Sequence, residues 1–474
     1  METIQSDSPK KVFIETWGCQ MNVADSEQML GLLRAQNYTQ TDKPEDADLV
    51  LLNTCHIREK ATHKVLSRLG RMREISLEFN PKMKIAVAGC VAQAEGKKLM
   101  EKASNIDILL GPGKIQELPG LLAAHAADGK RAMAIGFEKH VVDSHRHDPA
   151  PELAVKTEVE TPYVTNPTVT MKEEITRFVN IAQGCDNFCT FCVVPFTRGR
   201  EISRPLESIV SEVKTLLTEG AKEITLLGQN VNSYGDDLVR DGKHVAPADG
   251  PFVELLDRVA QIPGVERLRF TTSNPHDFTK PVAEMFRKHK NLGRYIHLPV
   301  QAGHDDVLER MKRKVTVAQY MERIQWLRDI DPEMALSTDL IVGFPGETED
   351  EFQGTLDLVE KVRYSFIYAF KYSSRKGTAA ARFKDQVPEA VMHERLLRLQ
   401  ALQNRITTEL NVAEIGNRRE VLCHYASRKE PDVYYGRTEQ FRLVKITSTR
   451  NLVGKTLTVD IVEANKTALV GVIV

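Results

Sequence analysis

The chain alternates between short apolar runs and longer stretches with helical spacing. Near the N-terminus the runs are Lys11–Gly18, Asp48–Thr54 and Lys84–Gly89, each ending just before a cysteine, with Asp107–Leu110 as a fourth. Runs this short and this apolar predict buried strands. The stretches between them, 24–36, 58–75 and 92–103, carry helical periodicity. Strand–helix alternation predicts a doubly wound parallel sheet over residues 10–128. Residues 129–170 are rich in Pro, Asp, Glu, Thr and His and read as an extended connector. His140, His145 and His147 lie in it and read as solvated. From 171 to 404 six apolar runs (177–182, 223–227, 267–271, 295–300, 335–342 and 365–371) alternate with helical stretches. Six β/α units are too few to close an eight-stranded barrel and predict a partial one. After an amphipathic helix over 388–410 the spacing changes again. Five short alternating strands follow within 405–474, which predict a small all-β barrel. The fold class is therefore α/β multidomain.

Composition sharpens this picture in three ways. At 474 residues, two to four domains are expected. The net charge is -1, so any nucleic-acid site must be a local patch rather than a global basic field. The last module has such a bias, with 11 Lys plus Arg against 8 Asp plus Glu, and Tyr425, Tyr434, Tyr435 and Phe441 could stack on bases. Barrels of this size also serve as general interaction modules. The polar N-terminus does not read as a signal peptide, and no apolar run reaches membrane-spanning length. Seven widely spaced cysteines do not form a disulfide framework. They point to metal or redox chemistry in a reducing, cytoplasmic setting.

Six of the seven fall into two sets. Cys185, Cys189 and Cys192 form C-x3-C-x2-C within eight residues. A structural zinc site would need a second C-x2-C pair, which is missing. Three thiolates on a loop suit a four-iron cluster that leaves one iron open. An incomplete zinc knuckle is the alternative. Cys19, Cys55 and Cys90 each follow a predicted strand of the first sheet, although 36 and 35 residues separate them. The C-terminal edge of an open α/β sheet is where ligands bind, so the three should converge there. Three ordinary buried thiols are the alternative. Cys423 reads as a plain core or surface thiol.

Polar residues gather at the predicted strand ends of the central module. Gln229, Asn230, Ser273, Gln301 and Asp339 are candidates for holding a small cofactor there. Helix capping would place the same residue types at such turns. Arg198 and Arg200, after the three-cysteine loop, could face phosphate, as could Arg437 and Arg442 of the last module. A solvated charged turn would look the same.

With these stretches in view, the chain resembles the methylthiotransferase family of radical S-adenosylmethionine (SAM) enzymes along essentially its whole length after residue 10. The telling segments are Thr16–Asn22, Asn53–Ala61, Cys192–Arg200 and Leu227–Tyr234. They are similar to the branch that modifies tRNA rather than the branch that modifies a ribosomal protein. The resemblance implies a radical SAM barrel at the centre and a TRAM RNA-binding barrel at the end. It implies two [4Fe-4S] clusters: Cys185, Cys189 and Cys192 would hold the one that cleaves SAM, and Cys19, Cys55 and Cys90 an auxiliary one. No catalytic side chain is expected beyond the clusters. The implied activity adds a methylthio group to C2 of an N6-prenylated adenosine next to the anticodon. The alternatives are methylthiolation of a ribosomal protein side chain and a non-catalytic iron–sulfur RNA-binding protein. The implied partners are the tRNA anticodon stem-loop and an electron donor such as a flavodoxin-type protein, with no membrane and a monomeric chain. The sequence departs from the family pattern at Ala302 and His304, at Lys376 and Ala379, and before Arg442. None of these is a cluster ligand.

Overall fold

A computed structural model describes residues 9–55, 61–137, 175–245 and 247–474. The histidines of the connector lie outside them. The chain divides into two bodies. One comprises residues 1–169 with 197–199, the other 170–196 with 200–474.

The first body is built on a six-stranded, wholly parallel sheet. Its strands are β1 (Lys10–Thr16), β2 (Tyr38–Gln40), β3 (Leu49–Thr54), β4 (Lys84–Gly89), β5 (Ile108–Leu110) and β6 (Ala132–Ala134), in the order β2-β1-β3-β4-β5-β6. β3 is buried along its whole length, as a strand covered on both faces must be. Val50, Leu52 and Val87 pack with Leu69 and Met72 of the helix Ala61–Phe79. Two strands differ from the sequence reading. β2 was not expected, and β6 lies past residue 128, where the connector was expected to begin. Each is three residues long and sits at a sheet edge, too short to show a period.

The second body contains the six expected strands: β7 (Thr176–Asn180), β8 (Glu223–Leu227), β9 (Arg267–Thr271), β10 (Tyr295–His297), β11 (Ala335–Val342) and β12 (Phe366–Lys371). They form two parallel three-stranded sheets, β9-β8-β7 and β10-β11-β12, joined through the bridge Leu268↔Leu292. Helices cover the outer face. In the helix Leu206–Thr218, Ile209, Val210, Val213 and Leu216 are buried at helical spacing, so one stripe meets the strands. Thr316 and Thr348 begin later helices with capping boxes completed by Gln319 and Glu351. Outward positions such as Ile224, Leu226, Leu268, Leu336 and Leu340 form the core with these helices. By strand alternation the intervening positions face the lumen.

The small barrel closes in the order β13 (Arg418–Ala426), β14 (Val433–Thr438), β15 (Leu443–Thr447), β17 (Leu469–Ile473), β16 (Thr456–Ala464). Val421, Cys423, Val444, Ile446, Val459, Ile461 and Leu469 fill it. Cys423 is thus a core thiol, and burial pushes its pKa up to about 11. The helix Glu389–Val412 leads into it and runs across residue 405, where the last module was expected to start.

The barrel docks on the N-terminal ends of the central strands. Glu223, buried among cations, accepts from Arg269 Nε at 3.0 Å and from Thr176 Oγ1 at 3.0 Å, and lies 3.7 Å from Arg267 and 3.5 Å from His424. Arg267 donates to the Arg437 carbonyl, and Arg269 donates to the carbonyls of Thr438 and Glu439. Phe441 stacks on Tyr295 with centroids 4.8 Å apart, and the Arg269 and Arg437 guanidinium groups lie over its ring. The turn between β14 and β15 therefore stoppers the lower mouth of the lumen.

Candidate functional site: two sets of three cysteines

In the first body Cys19 follows β1, Cys55 follows β3 and Cys90 follows β4. These three strands are adjacent in the sheet. The sequence reading placed the cysteines at strand ends, and topology makes those ends neighbours. The close approach needs glycine at two points. A Cβ on Gly18 would lie 2.7 Å from the Cys55 Cβ, and one on Gly89 would lie 2.4 Å from the Thr54 carbonyl. Both have positive φ, which glycine adopts without strain. Beneath the cysteines lies a buried polar network. Asn53 Nδ2 donates to the Asn22 carbonyl (2.7 Å) and to Ser26 Oγ (2.9 Å), and Asn22 Nδ2 donates to Asn53 Oδ1 (3.2 Å). The backbone N–H of Cys19 donates to Asn22 Oδ1 at 3.4 Å. Arg198 belongs to this body, where its Nη2 donates to Asp25 at 2.7 Å, with both side chains buried. Burial pushes the Cys90 thiol up, and the positive charge of Arg198 pulls against that.

In the second body Cys185, Cys189 and Cys192 lie on the loop after β7. The loop is pinned from outside. Thr190 receives a backbone bond from Ala380 and gives one to Met311, and its hydroxyl donates to the Arg310 carbonyl at 2.8 Å. Donors point at all three sulfurs: Asn187 Nδ2 at 3.7 Å from Cys185, Arg313 Nη1 at 3.5 Å from Cys189 and the Val194 N–H at 3.4 Å from Cys192. Burial pushes the Cys185 thiol up to about 11 and the Cys192 thiol up to about 12. A cationic metal centre reverses that preference by stabilising thiolates. The donors around the sulfurs are those a cluster's thiolates accept.

The candidate cofactor residues surround this loop. Gln229 Oε1 accepts from the Gly184 N–H at 2.5 Å. Asn230 is buried and donates to Asp277 (2.6 Å) and to Ser233 (2.7 Å). Ser273 is buried, and its Oγ has no hydrogen-bond partner among the described residues. The same holds for Asn180 Oδ1 and for both amide atoms of Asn232. Each of β7, β8 and β9 thus ends beside a buried polar group left unsatisfied. Such groups normally have partners, so a polar ligand fits here. Gln301 holds a left-handed backbone (φ +83°), and its N–H donates to the Asp339 carbonyl at 3.0 Å. Asp339 belongs to β11, and its carboxylate has an oxygen 3.5 Å from His297 Nε2.

Of the four candidate arginines, Arg200 alone has an exposed side chain, at 46%, and it forms a bidentate pair with Asp186 at 2.6 and 2.9 Å. Arg198 is held by Asp25. Arg437 Nη1 donates to the Phe441 carbonyl, and Arg442 Nη1 donates to Asn411 Oδ1 at 2.6 Å and lies beside Glu414. The last two serve the seat of the barrel. Sequence reasoning missed Asn180, Arg313 and Glu201. Asn180 ends a strand and the strand-end rule could have found it. Arg313 carries no local signal. Glu201 is buried, its Oε2 accepts from Ser233 at 2.7 Å, and burial raises its pKa to about 8.

Comparison with known proteins identifies the family. Residues 11–111 match the family described as uncharacterized protein family UPF0004, and residues 179–359 match the radical SAM superfamily. A solved radical SAM methyltransferase, TsrM from Kitasatospora setae, with cobalamin and a [4Fe-4S] cluster bound, shares the fold. The TM-score is 0.52 at 14% identity, over 76% of this chain and 72% of that one. Two curated relatives named tRNA-2-methylthio-N(6)-dimethylallyladenosine synthase are each 41% identical to this chain. The one from Syntrophotalea carbinolica aligns over 98% of this chain and 99% of its own length, and the one from Acidovorax sp. (strain JS42) over 98% of each. This chain belongs to their family, the tRNA-modifying methylthiotransferases of the radical SAM superfamily.

Proposed function

We propose that the chain adds a methylthio group to C2 of an adenosine in tRNA that already carries a dimethylallyl group on N6 and lies next to the anticodon. The observation that carries this reading is the pair of three-cysteine sets, each at the C-terminal ends of a parallel sheet. Family membership brings a [4Fe-4S] cluster and SAM, and we assign Cys185, Cys189 and Cys192 as the ligands of that cluster. A second cluster on Cys19, Cys55 and Cys90 is our assignment. It is supported by three adjacent strand ends and by glycines that let the cysteine loops approach.

The C2–H bond has no useful acidity and no leaving group. When bound, the clusters and SAM supply the radical and sulfur chemistry that such a bond requires. The chain's own residues bind and orient. Arg313, Asn187 and the Val194 N–H direct positive ends at the thiolates. Ser273, Asn180 and Asn232 offer unsatisfied donors and acceptors to the polar parts of SAM, with Gln229, Asn230 and Gln301 shaping the loops around them. The Phe441 stopper keeps water from entering the lumen from below, which protects a reactive species from side reactions. Target adenosines in single-stranded anticodon loops are reachable by a pocket once splayed out. Arg200 is the arginine best placed to meet phosphate. An electron donor such as a flavodoxin-type protein, a monomeric chain and work in the cytoplasm complete the reading. No helix among the described residues is long and apolar enough to cross a membrane.

Nucleoside mass spectrometry of tRNA from cells with and without the gene tests this. Loss of the methylthio nucleoside with accumulation of its prenylated precursor is expected. Unchanged tRNA nucleosides would refute it.

A further inference from the structure

Six of the seven arginines buried among the described residues have a carboxylate partner: Glu219 for Arg177, Asp25 for Arg198, Glu212 for Arg204, Glu223 for Arg267 and Arg269, and Glu347 for Arg395. Arg313 is the seventh. It is 7% exposed, and no described carboxylate pairs with it. A buried charge is costly unless an opposite charge meets it. What Arg313 meets is sulfur and one carbonyl. Its Nη1 lies 3.5 Å from Cys189 Sγ, its Nη2 donates to the Pro299 carbonyl, and its Nε has no hydrogen-bond partner among the described residues. Burial pushes the Cys192 thiol up to about 12, and the Arg313 charge is among the influences that oppose this. The backbone aims Arg313 at the loop. It lies in the turn between the helices Asp305–Arg310 and Val317–Ile330. Lys312 and Lys314 on either side both hold left-handed backbone (φ +55°), which non-glycine residues keep only where their surroundings impose it. The N–H groups of Lys312 and Arg313 donate back to the carbonyls of Glu309 and Leu308, and the Lys314 carbonyl accepts from His276 Nδ1 at 2.9 Å. The start of the same turn grips Thr190, the residue after Cys189, through the carbonyls of Arg310 and Met311.

We propose that Arg313 is the fixed counter-charge of the cluster on Cys185, Cys189 and Cys192, and that it sets how readily that cluster is reduced. Arg313 acts through the Cys189 thiolate and touches no substrate atom. Charge balance carries the argument. An oxidised four-iron core held by three thiolates has one net negative charge, which is the anion Arg313 otherwise lacks. Taking one electron from the donor protein adds a second negative charge. A cation held beside a ligand sulfur favours the more negative form and so raises the potential. The donors at the other two sulfurs, Asn187 Nδ2 and the Val194 N–H, are neutral, so Arg313 brings the full charge. The inference rests on the cluster assignment to these three cysteines made above.

The test uses the full chain with Cys19, Cys55 and Cys90 replaced by Ala, loaded anaerobically with iron and sulfide and free of SAM, so that one cluster is read. EPR of the reduced form at stepped potentials gives the midpoint in this background and with Arg313→Gln, Arg313→Lys or Thr190→Val added. At a fixed potential the ratio of reduced to oxidised cluster should fall about tenfold in Arg313→Gln, which is a midpoint lower by about 59 mV for one electron. Arg313→Lys keeps the charge and should recover most of that fall. Thr190→Val loosens the grip on the same loop without changing charge and should leave the midpoint where it was. An Arg313→Gln midpoint that is unchanged or raised, or an equal fall in Thr190→Val, would overturn the proposal. Where Arg313→Gln holds no cluster, loading of Arg313→Lys supports the counter-charge, and an empty Arg313→Lys contradicts it. A background protein with no [4Fe-4S] signal refutes the cluster assignment itself, and the proposal falls with it.

Discussion

Replacing Glu223 by Gln should unseat the small barrel. Glu223 is one carboxylate set against two buried guanidinium groups, with Arg269 Nε at 3.0 Å and the nearest Arg267 nitrogen at 3.7 Å. Side-chain exposure is 2% for Glu223, 5% for Arg267 and 4% for Arg269, so solvent screens little of the charge. Burial alone would raise the Glu223 pKa, but Arg269, His424 and Arg267 hold it well below the usual carboxylate range. Gln keeps the shape and removes the charge, and both arginines then lack their anion. Removing one partner of a buried pair costs about 3–5 kcal/mol. Much of that is the penalty of a stranded charge, so Glu223→Gln with Arg269→Met should recover part of the loss. The assay is urea unfolding followed by Trp326 fluorescence in a Trp17→Phe background, so that the second body alone is reported. The pH dependence has a definite sign. A depressed folded-state pKa gives stability that is complete above the ordinary glutamate value and is lost as pH falls through the folded value. The gap between wild type and Glu223→Gln should therefore narrow in acid. A gap under about 1 kcal/mol at neutral pH, or one that widens in acid, would refute the reasoning.

Other consequences can be checked separately. Cys19→Ala should leave SAM cleavage to 5′-deoxyadenosine largely intact while abolishing sulfur insertion, both read by mass spectrometry; retained insertion would contradict the auxiliary assignment. Gly89→Ala would force a Cβ to within 2.4 Å of the Thr54 carbonyl in a left-handed conformation, so the first body should lose at least about 2 kcal/mol, measured by Trp17 fluorescence. Phe441→Ala removes one stacked ring and two cation–π contacts and should cost about 2–4 kcal/mol in the same Trp326 assay.

Much of this molecule was legible before its structure. The apolar runs ending at Cys19, Cys55 and Cys90 are strands, and the six central runs are strands in the expected order. What was hidden depends on contacts between distant residues. β2 and β6 are three-residue edge strands, held by neighbours rather than by a pattern of their own. Arg437 and Arg442 read as cations in a small basic module, because Phe441, Asn411 and Glu414 become their partners only once the chain has folded. The alternation Phe366-Ile367-Tyr368-Ala369-Phe370 announces a strand. Which face would be covered depends on helices and a barrel turn far away in sequence. The unsatisfied Asn180, Asn232 and Ser273 were partly visible as strand-end residues, but their lack of partners is a property of the packed fold.

A cluster on each set of three cysteines is the proposal on which the proposed activity depends. Iron and sulfide analysis with Mössbauer spectroscopy tests it on three anaerobically loaded proteins: wild type, Cys19/Cys55/Cys90→Ala and Cys185/Cys189/Cys192→Ala. [4Fe-4S] spectra are expected throughout, with each triple variant retaining about half of the wild-type iron. A first-set variant that keeps all of its iron would contradict a cluster on Cys19, Cys55 and Cys90.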